Sequence, residues 1–426
     1  MKVFLKNENE KNIVFTFLFS IVIFWKFWYN YVSNKGKNKM KVFLNKNEEI
    51  RLLEGHPWVF SNEVNHFEGK IKSGEICTVY SFDNKFIGKG FFNSNSKIMV
   101  RLLTRENIEI DEAFFKNKIQ QAYDYRIDIG LSDNFRMIFS EADDLSGLIV
   151  DKYGDYLSIQ ILSLGMEVIK DMIIKLLVEV TKCKGIYERS DVSIRKKEGL
   201  EEFKGIVYGD FNPLVMIEEN GIKMYVDLEN GQKTGYFLDQ KYNRANLCNY
   251  VKNKVVLDCF SHTGGFALHA AKYGAKEIVA VDISEKAVND INNNAKLNGF
   301  ENIKALQADV FEYLRKEENI NKFDCIVLDP PAFTKSKETI NKAYKGYKDI
   351  NLQAMKIIKK GGFLFTFSCS EHMKPSLFLE MLEDAKKDSK RQIRLIDFRI
   401  QAPDHPTLLS SDEGLYLKCA VLHFMD

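Results

Sequence analysis

Two residues near the C-terminal end carry side chains suited to covalent and proton chemistry. Cys369 lies in Phe367-Ser368-Cys369-Ser370, and Asp329 opens Asp329-Pro330-Pro331-Ala332-Phe333. A pyrimidine C5 is too weak a nucleophile to take an alkyl group directly. A thiolate that adds at C6 makes C5 enamine-like and able to attack. A cysteine of ordinary pKa, about 8.5, needs local activation for that role. Two prolines after an acid make a rigid corner that fixes the carboxylate and its neighbouring carbonyls. Pro331 and Phe333 are the parts of that corner expected to meet a substrate. The other cysteines read differently. Cys325 is mid-strand in an apolar run, Cys77 and Cys419 look like strand core, and Cys259 lies against a glycine-rich loop. His372 and His405 are acid–base candidates, although a lone histidine is more often structural.

A second constellation looks like a ligand cradle. Asp258, Asp282 and Asp309 each stand near the end of an apolar run, and the first is followed by Phe260-Ser261-His262-Thr263-Gly264-Gly265-Phe266. In an open α/β sheet, ligands bind beyond the carboxyl ends of the strands, near the switch in strand order. Glycines such as Gly264 let the backbone turn sharply and approach a ligand. A dinucleotide site would show G-x-G-x-x-G, which seats a pyrophosphate on a helix N-terminus. That spacing is missing, which suits a phosphate-free nucleoside cofactor, S-adenosylmethionine. Asp282 could accept both ribose hydroxyls, with Ile283 beside it. Asp309, followed by Val310, could reach the adenine amino group. A single aspartate in such a loop is often only a helix cap, but three at consecutive strand ends beside a glycine-rich loop argue for a site.

These groups need a scaffold, and the hydrophobic pattern supplies one. The runs at 254–260, 277–284, 302–310, 323–331 and 361–370 alternate with helical segments, the last of them over 339–360. That alternation predicts a parallel sheet covered on both faces. The runs 393–401 and 415–424 have only a loop between them, so a terminal antiparallel hairpin is expected. Upstream, 55–64, 74–82, 86–92 and 98–104 read as strands separated by Gly, Asn and Asp, a small all-β unit. A helix from Glu112, a hairpin-rich stretch at 138–162, a helix at 166–182 and strands at 184–190 and 222–228 form a central α/β region. The expected division is 1–39 extension, 40–111 β unit, 112–225 central unit and 226–426 catalytic unit.

Length and charge bound the rest. A chain of 426 residues is too long for one ordinary core. The net charge is +2 overall, but residues 1–39 hold seven Lys against two Glu, so the remainder is slightly acidic. Any nucleic-acid surface is therefore a local patch, not a property of the whole chain. Seven scattered cysteines form no C-x-x-C pair and no zinc spacing, which fits a reducing compartment and no metal. Residues 13–25 are uncharged and apolar, short for a spanning helix. The opening Met1-Lys-Val-Phe-Leu5 recurs at Met40-Lys-Val-Phe-Leu44. Met40 is accordingly read as the start of the folded protein, and 1–39 as an upstream extension, with a membrane anchor through 13–32 as the alternative.

From Met40 onward the chain resembles the PUA-domain-containing 23S rRNA cytosine-C5 methyltransferase family. Gly55-His-Pro-Trp-Val-Phe60 looks like the opening of its RNA-binding PUA barrel. Glu141 to Asp151 and Tyr187-Glu-Arg-Ser-Asp191 look like its central domain. Gly231-Gln-Lys-Thr-Gly-Tyr-Phe-Leu-Asp-Gln240, with Arg244, is similar to the hairpin leading into its catalytic domain. The resemblance covers about nine-tenths of the chain and implies a Rossmann-like class I methyltransferase domain behind a PUA-like and a central α/β domain. It further implies S-adenosylmethionine as cofactor, rRNA as substrate, Cys369 as nucleophile, Gln240 and Arg244 at the cofactor, and Trp58 toward RNA. The chain departs from many RNA cytosine methyltransferases in lacking a second cysteine after Pro330, which leaves Asp329 as a release base. Close relatives methylate guanine N7, a reaction that needs no nucleophile. A cytoplasmic enzyme is expected, and a homodimer is compatible. The rivals are a non-catalytic RNA-binding assembly factor and a methyltransferase acting on small molecules or proteins.

Overall fold

The computed structural model describes residues 40–70, 72–334, 337–411 and 414–426. The segment 1–39, with its expected extension or anchor, lies outside them. Among the described residues no helix is long and apolar enough to cross a membrane.

The N-terminal sheet is built from β1 (Lys41–Leu44), β2 (Trp58–Phe60), β3 (Val64–Glu68), β4 (Ile76–Tyr80), β5 (Phe86–Phe92) and β6 (Ile98–Thr104), in the order β2-β6-β5-β4-β1-β3. It closes on a core of Val42, Leu44, Leu52, Val59, Val79 and Val100. The single strand expected over 55–64 is instead two strands flanking a turn at Ser61–Glu63, where Glu63 accepts hydrogen bonds from Phe60 N and Arg51. A short helix, Glu49–Leu53, also interrupts the all-β pattern. Gly90 is forced by packing: a Cβ there would lie 2.1 Å from the Arg101 carbonyl oxygen.

The central sheet contains β7 (Asn134–Phe139), β8 (Leu148–Tyr153), β9 (Tyr156–Ile161), β10 (Gly185–Ser190) and β11 (Phe203–Tyr208), in the order β11-β10-β9-β8-β7. Helices Glu112–Asp128 and Lys170–Thr181 join it around Phe115, Ile119, Phe135, Ile159 and Leu176. Next, β12 (Leu214–Glu219) and β13 (Ile222–Asp227) form a two-stranded ribbon. The ribbon's buried face, Val215, Ile217, Met224 and Val226, packs on Tyr153 and Tyr187 on one side and on Leu268 and Ala295 on the other. The expected boundary at 225/226 runs through β13. β11 and β12 were not foreseen, although Leu214-Val-Met-Ile-Glu-Glu219 alternates exposed and buried residues along its length.

The C-terminal sheet comprises β14 (Val255–Cys259), β15 (Glu277–Asp282), β16 (Ile303–Gln307), β17 (Phe323–Leu328), β18 (Ile358–Ser368), β19 (Ile393–Ile400) and β20 (Lys418–Phe424). Its order is β16-β15-β14-β17-β18-β20-β19. The first five strands are parallel, and β20 runs antiparallel between β18 and β19. Period-two alternation explains why both faces are apolar. Leu257 and Cys259 join the core beneath helices Ile340–Ile357 and Pro375–Ser389, whereas Val256 joins the one beneath helix Gly265–Lys272. Strand order reverses beside β14, so the ends of β14, β15 and β17 open onto one crevice.

Polar bonds tie the units together. Arg136 on β7 makes a two-pronged pair with buried Asp151 (2.7 and 2.7 Å), and Asp151 also accepts from Thr234 Oγ1. Asp404 Oδ2 accepts from Arg136 N (2.9 Å), and the Asp404 carbonyl accepts from Arg126 (2.9 Å). The segment before β20 thus rests on the central sheet. Removing one partner of a buried ion pair strands the other charge. Arg136→Met is therefore expected to cost about 3–5 kcal/mol, read as a lowered urea midpoint, and an unchanged midpoint would contradict this role.

Candidate active site

A cleft of about 740 Å³ lies where the strands reverse order, lined by residues from the Gly231–Arg244 segment, the β14 and β15 ends, Asp329 to Ala332, Cys369 and Leu417.

One wall is the loop after β14. Phe260 (φ 60°) and His262 (φ 53°) hold left-handed backbone conformations, which are costly for bulky side chains. Buried Asp258 holds the loop in place: its Oδ2 accepts from Ser261 Oγ (2.5 Å) and Ala267 N (3.0 Å). Gly264 (φ 87°) packs its Cα side against Ile291, and a Cβ on Gly265 would press on the Tyr236 hydroxyl at 2.9 Å. At the end of β15, Asp282 accepts from His262 N (2.9 Å) and Ser284 N (3.0 Å), which aims its remaining lone pairs outward. Ile283, 68% exposed, forms an apolar lip beside it.

The opposite wall carries Asp329 and Cys369. Asp329 accepts from Gln240 Nε2 (3.0 Å). Burial, then the charges of Asp239 and Asp258, push its carboxyl up to about 7. Burial likewise pushes Asp258 up to about 7. Half-buried Cys369 sits 3.9 Å from the Pro330 carbonyl oxygen, and burial together with Asp329 pushes its thiol up to about 11. Beneath it, Lys418 donates to the carbonyls of Ser370 (2.6 Å) and Tyr416 (2.7 Å), and burial lowers its ammonium to about 8. Buried Asp239 accepts from the Tyr416 hydroxyl (2.6 Å) and Lys233 (3.3 Å). Burial alone would raise Asp239, but Lys233 and His405 hold it below the usual carboxylate range.

Most of the expected residues converge here. Gln240, Arg244, Phe260, Asp282, Ile283, Asp329, Pro331 and Cys369 all line the cleft. Arg244 is nevertheless spent on a buried two-pronged pair with Glu219 of β12 (2.7 and 2.9 Å), so it braces the wall. Asp258 acts on the loop from behind it. Asp309 caps the short helix Val310–Tyr313 through Glu312 N (3.1 Å), and Val310 is core; neither lines the cleft. Phe333 stacks inward on Tyr347, with ring centroids 4.5 Å apart. Trp58 also has an internal partner: its indole donates to Glu141 (2.9 Å), which Arg101 bridges to the N-terminal sheet. Lys233, Asp239, His262, Tyr416 and Lys418 were missed. Lys233 and Asp239 stand inside the Gly231–Gln240 segment that was singled out, where a cluster of ionisable residues was the available signal. Among the described residues no group of His, Cys, Asp and Glu could hold a metal.

The cradle fits S-adenosylmethionine on its own chemistry. It offers a carboxylate for a ribose at Asp282 and an apolar lip at Ile283, and behind the loop Asp258 Oδ1 is a buried carboxylate oxygen with no partner among the described residues. Such an oxygen is costly unless a donor or cation meets it.

Comparisons with known proteins agree with this arrangement. A family described as PUA-like domain matches residues 42–105, and one described as S-adenosylmethionine-dependent methyltransferase matches 206–414. The chain is 43% identical to ribosomal RNA large subunit methyltransferase I of Aliivibrio fischeri over 387 residues, covering 89% of this chain and 98% of that one. The Vibrio cholerae protein of the same name is 44% identical over 393 residues, covering 89% and 99%. Among solved structures, a SAM-dependent methyltransferase from Streptococcus mutans superposes with TM-score 0.76 at 23% identity, over 90% of this chain and 99% of that one. A methyltransferase solved in complex with SAH gives TM-score 0.77 at 24% identity, with the same coverage.

Two outcomes follow from the site's electrostatics. Without cofactor, alkylation of Cys369 by iodoacetamide, followed by peptide mass spectrometry, should climb with pH toward about 11. A plateau below about pH 8 would show a thiolate already activated. For Asp329, a folded pKa near 7 above an unfolded value near about 3.9 penalises the charged form. Its contribution to stability is therefore lost as pH rises from about 4 through 7. Asp329→Asn should gain on wild type across that window by on the order of 1–2 kcal/mol, discounted for solvent in the open cleft. A constant difference in urea midpoints between pH 4.5 and 8 would contradict the raised carboxyl.

Proposed function

Since the chain belongs to the S-adenosylmethionine-dependent methyltransferase family that includes ribosomal RNA large subunit methyltransferase I, we propose that it methylates C5 of a cytosine in large-subunit rRNA, in the cytoplasm. The observation that carries this reading is the placement of Cys369 and Asp329 on the same cleft as the cofactor cradle.

S-adenosylmethionine supplies a methyl group on a positively charged sulfur. The chain's own part begins with seating the target base, which must leave its stack to enter the cleft. The Cys369 thiol gives up its proton to solvent and its sulfur bonds to C6, which shifts the C5=C6 electron pair onto C5 and turns it into a carbon nucleophile. After C5 is methylated, Asp329, poised near neutral pH, takes the C5 proton. The sulfur–C6 bond then breaks, the C5=C6 bond is restored, and the thiolate is released. Asp282 and Ile283 orient the cofactor. Gln240 holds the Asp329 carboxylate toward the substrate. The N-terminal and central units would hold RNA by shape and phosphate contacts. The division into PUA-like, central and catalytic domains belongs to this proposal, with the β12–β13 ribbon joining the last two.

One observation favours a second reading, guanine N7. The Cys369 thiol is raised rather than activated, and N7 already has a lone pair and needs no nucleophile.

Nucleoside mass spectrometry separates the two. Residues 40–426, wild type and Cys369→Ala, are incubated with unmodified rRNA and isotope-labelled S-adenosylmethionine. The expected result is labelled 5-methylcytidine that disappears in the variant. Labelled 7-methylguanosine that survives in the variant would replace C5 by N7 and make Cys369 a wall residue.

A further inference from the structure

We infer that Asp239 reads the exocyclic amino group of the target base and so selects cytosine over uracil; this rests on the cytosine reading above.

Asp239 is 3% exposed yet lines the cleft shared by Cys369 and Asp329. Its backbone is held from the segment before β20, where Ala402 N donates to its carbonyl (2.8 Å). The carboxylate is oriented as well. Oδ2 takes both available donors, the Tyr416 hydroxyl at 2.6 Å and Lys233 Nζ at 3.3 Å. Oδ1 is buried and has no partner among the described residues. A buried carboxylate oxygen left without a donor is costly, and such groups in native proteins usually have a ligand or water to meet.

The donors that could enter this cleft are those of the cofactor (its ammonium, ribose hydroxyls and adenine amino group) and an amino group on the base. The cofactor side already has an unpartnered oxygen, Asp258 Oδ1, beneath the loop after β14. Asp239 stands on the other wall. Its negative charge is among the groups that raise Asp329 and Cys369, as expected for a carboxylate beside the reacting ring. Position 4 of cytosine bears an amino group, a donor that complements Oδ1. Position 4 of uracil bears a carbonyl oxygen, and two acceptors facing each other in a desolvated site repel. Fixing Oδ2 on Tyr416 and Lys233 thus keeps the other oxygen for the base.

Substitution by asparagine inverts the code. Tyr416 and Lys233 are donors, so the amide oxygen of an Asp239→Asn side chain takes the Oδ2 place. The amide nitrogen then replaces Oδ1 and presents a donor to the base. Once mass spectrometry has located the methylated cytidine, transcripts carrying cytidine or uridine at that position are compared. For D239N, kcat/KM on the cytidine transcript should fall at least about 10-fold, and the cytidine-to-uridine ratio by more, with 5-methyluridine appearing. Binding of labelled S-adenosylmethionine should stay close to wild type, while the urea midpoint should fall modestly, because the amide gives up the charge that Lys233 and His405 stabilise.

An unchanged cytidine-to-uridine ratio would overturn the inference. So would loss of cofactor binding with the fold retained, since that outcome assigns the carboxylate to the cofactor. A wild-type enzyme that forms no 5-methylcytidine fails earlier, at the choice of base, and takes the inference with it. If D239N proves too unstable to assay, Asp239→Glu keeps the charge for Lys233 while driving the oxygen into the base's place. It should lose cytidine turnover and retain cofactor binding, and full turnover would overturn the assignment.

Discussion

Three carboxylates, Asp239, Asp282 and Asp329, line one crevice at the carboxyl edge of one sheet with a fourth, Asp258, buried behind the loop after β14, and a desolvated site cannot hold four uncompensated negative charges near neutral pH. The chain settles this by treating each acid differently. Asp282 stays near solvent and draws on two backbone N–H groups. Asp239 is neutralised by Lys233 and supported by Tyr416. Asp258 and Asp329 have no ion-pair partner among the described residues, and burial pushes both carboxyls up to about 7. The cleft therefore favours a positively charged ligand, and the same burial and carboxylate crowding raise the Cys369 thiol.

That arrangement depends on units distant in sequence. The Asp239 wall is tied to the segment at Ala402 to His405, which rests on Arg126 and Arg136 of the central unit. Arg244 is braced by Glu219 on the ribbon. The ribbon, through Leu214, Tyr225 and Asp227, is consequently part of the cleft wall, and the central unit supports that wall from behind.

How much of this could be read from sequence depended on whether a residue's role is local. The five parallel strands, the terminal pair and the placement of Asp282, Asp329 and Cys369 follow from apolar alternation and from which residue ends each run. The roles of Trp58 and Phe333 were decided by tertiary partners that no local pattern encodes, Glu141 and Tyr347, whereas Asp309 took the local helix-cap role by accepting from Glu312 N three residues on. β11 and β12 went unseen because their outward faces are partly exposed and their apolar residues are diluted by charge. The Gly231–Gln240 segment drew attention as a motif, yet its Lys233 and Asp239 gain meaning only once Tyr416 is folded against them.

Strand order in the catalytic sheet has a consequence for synthesis. β20 follows β19 in the chain but lies between it and β18, so β19 has no sheet to join until β20 arrives. Lys418, the first residue of β20, is also the floor under the Cys369 loop, and Tyr416 beside it anchors Asp239. As a ribosome makes this chain, the cofactor loop and Cys369 emerge well before the strand that completes their pocket. A nascent chain therefore has no finished catalytic cleft until residue 418 and its strand have cleared the exit tunnel. The long-range pairing that closes the sheet is also the kind of contact that forms slowly. Folding topology thus makes the finished cleft wait on β20.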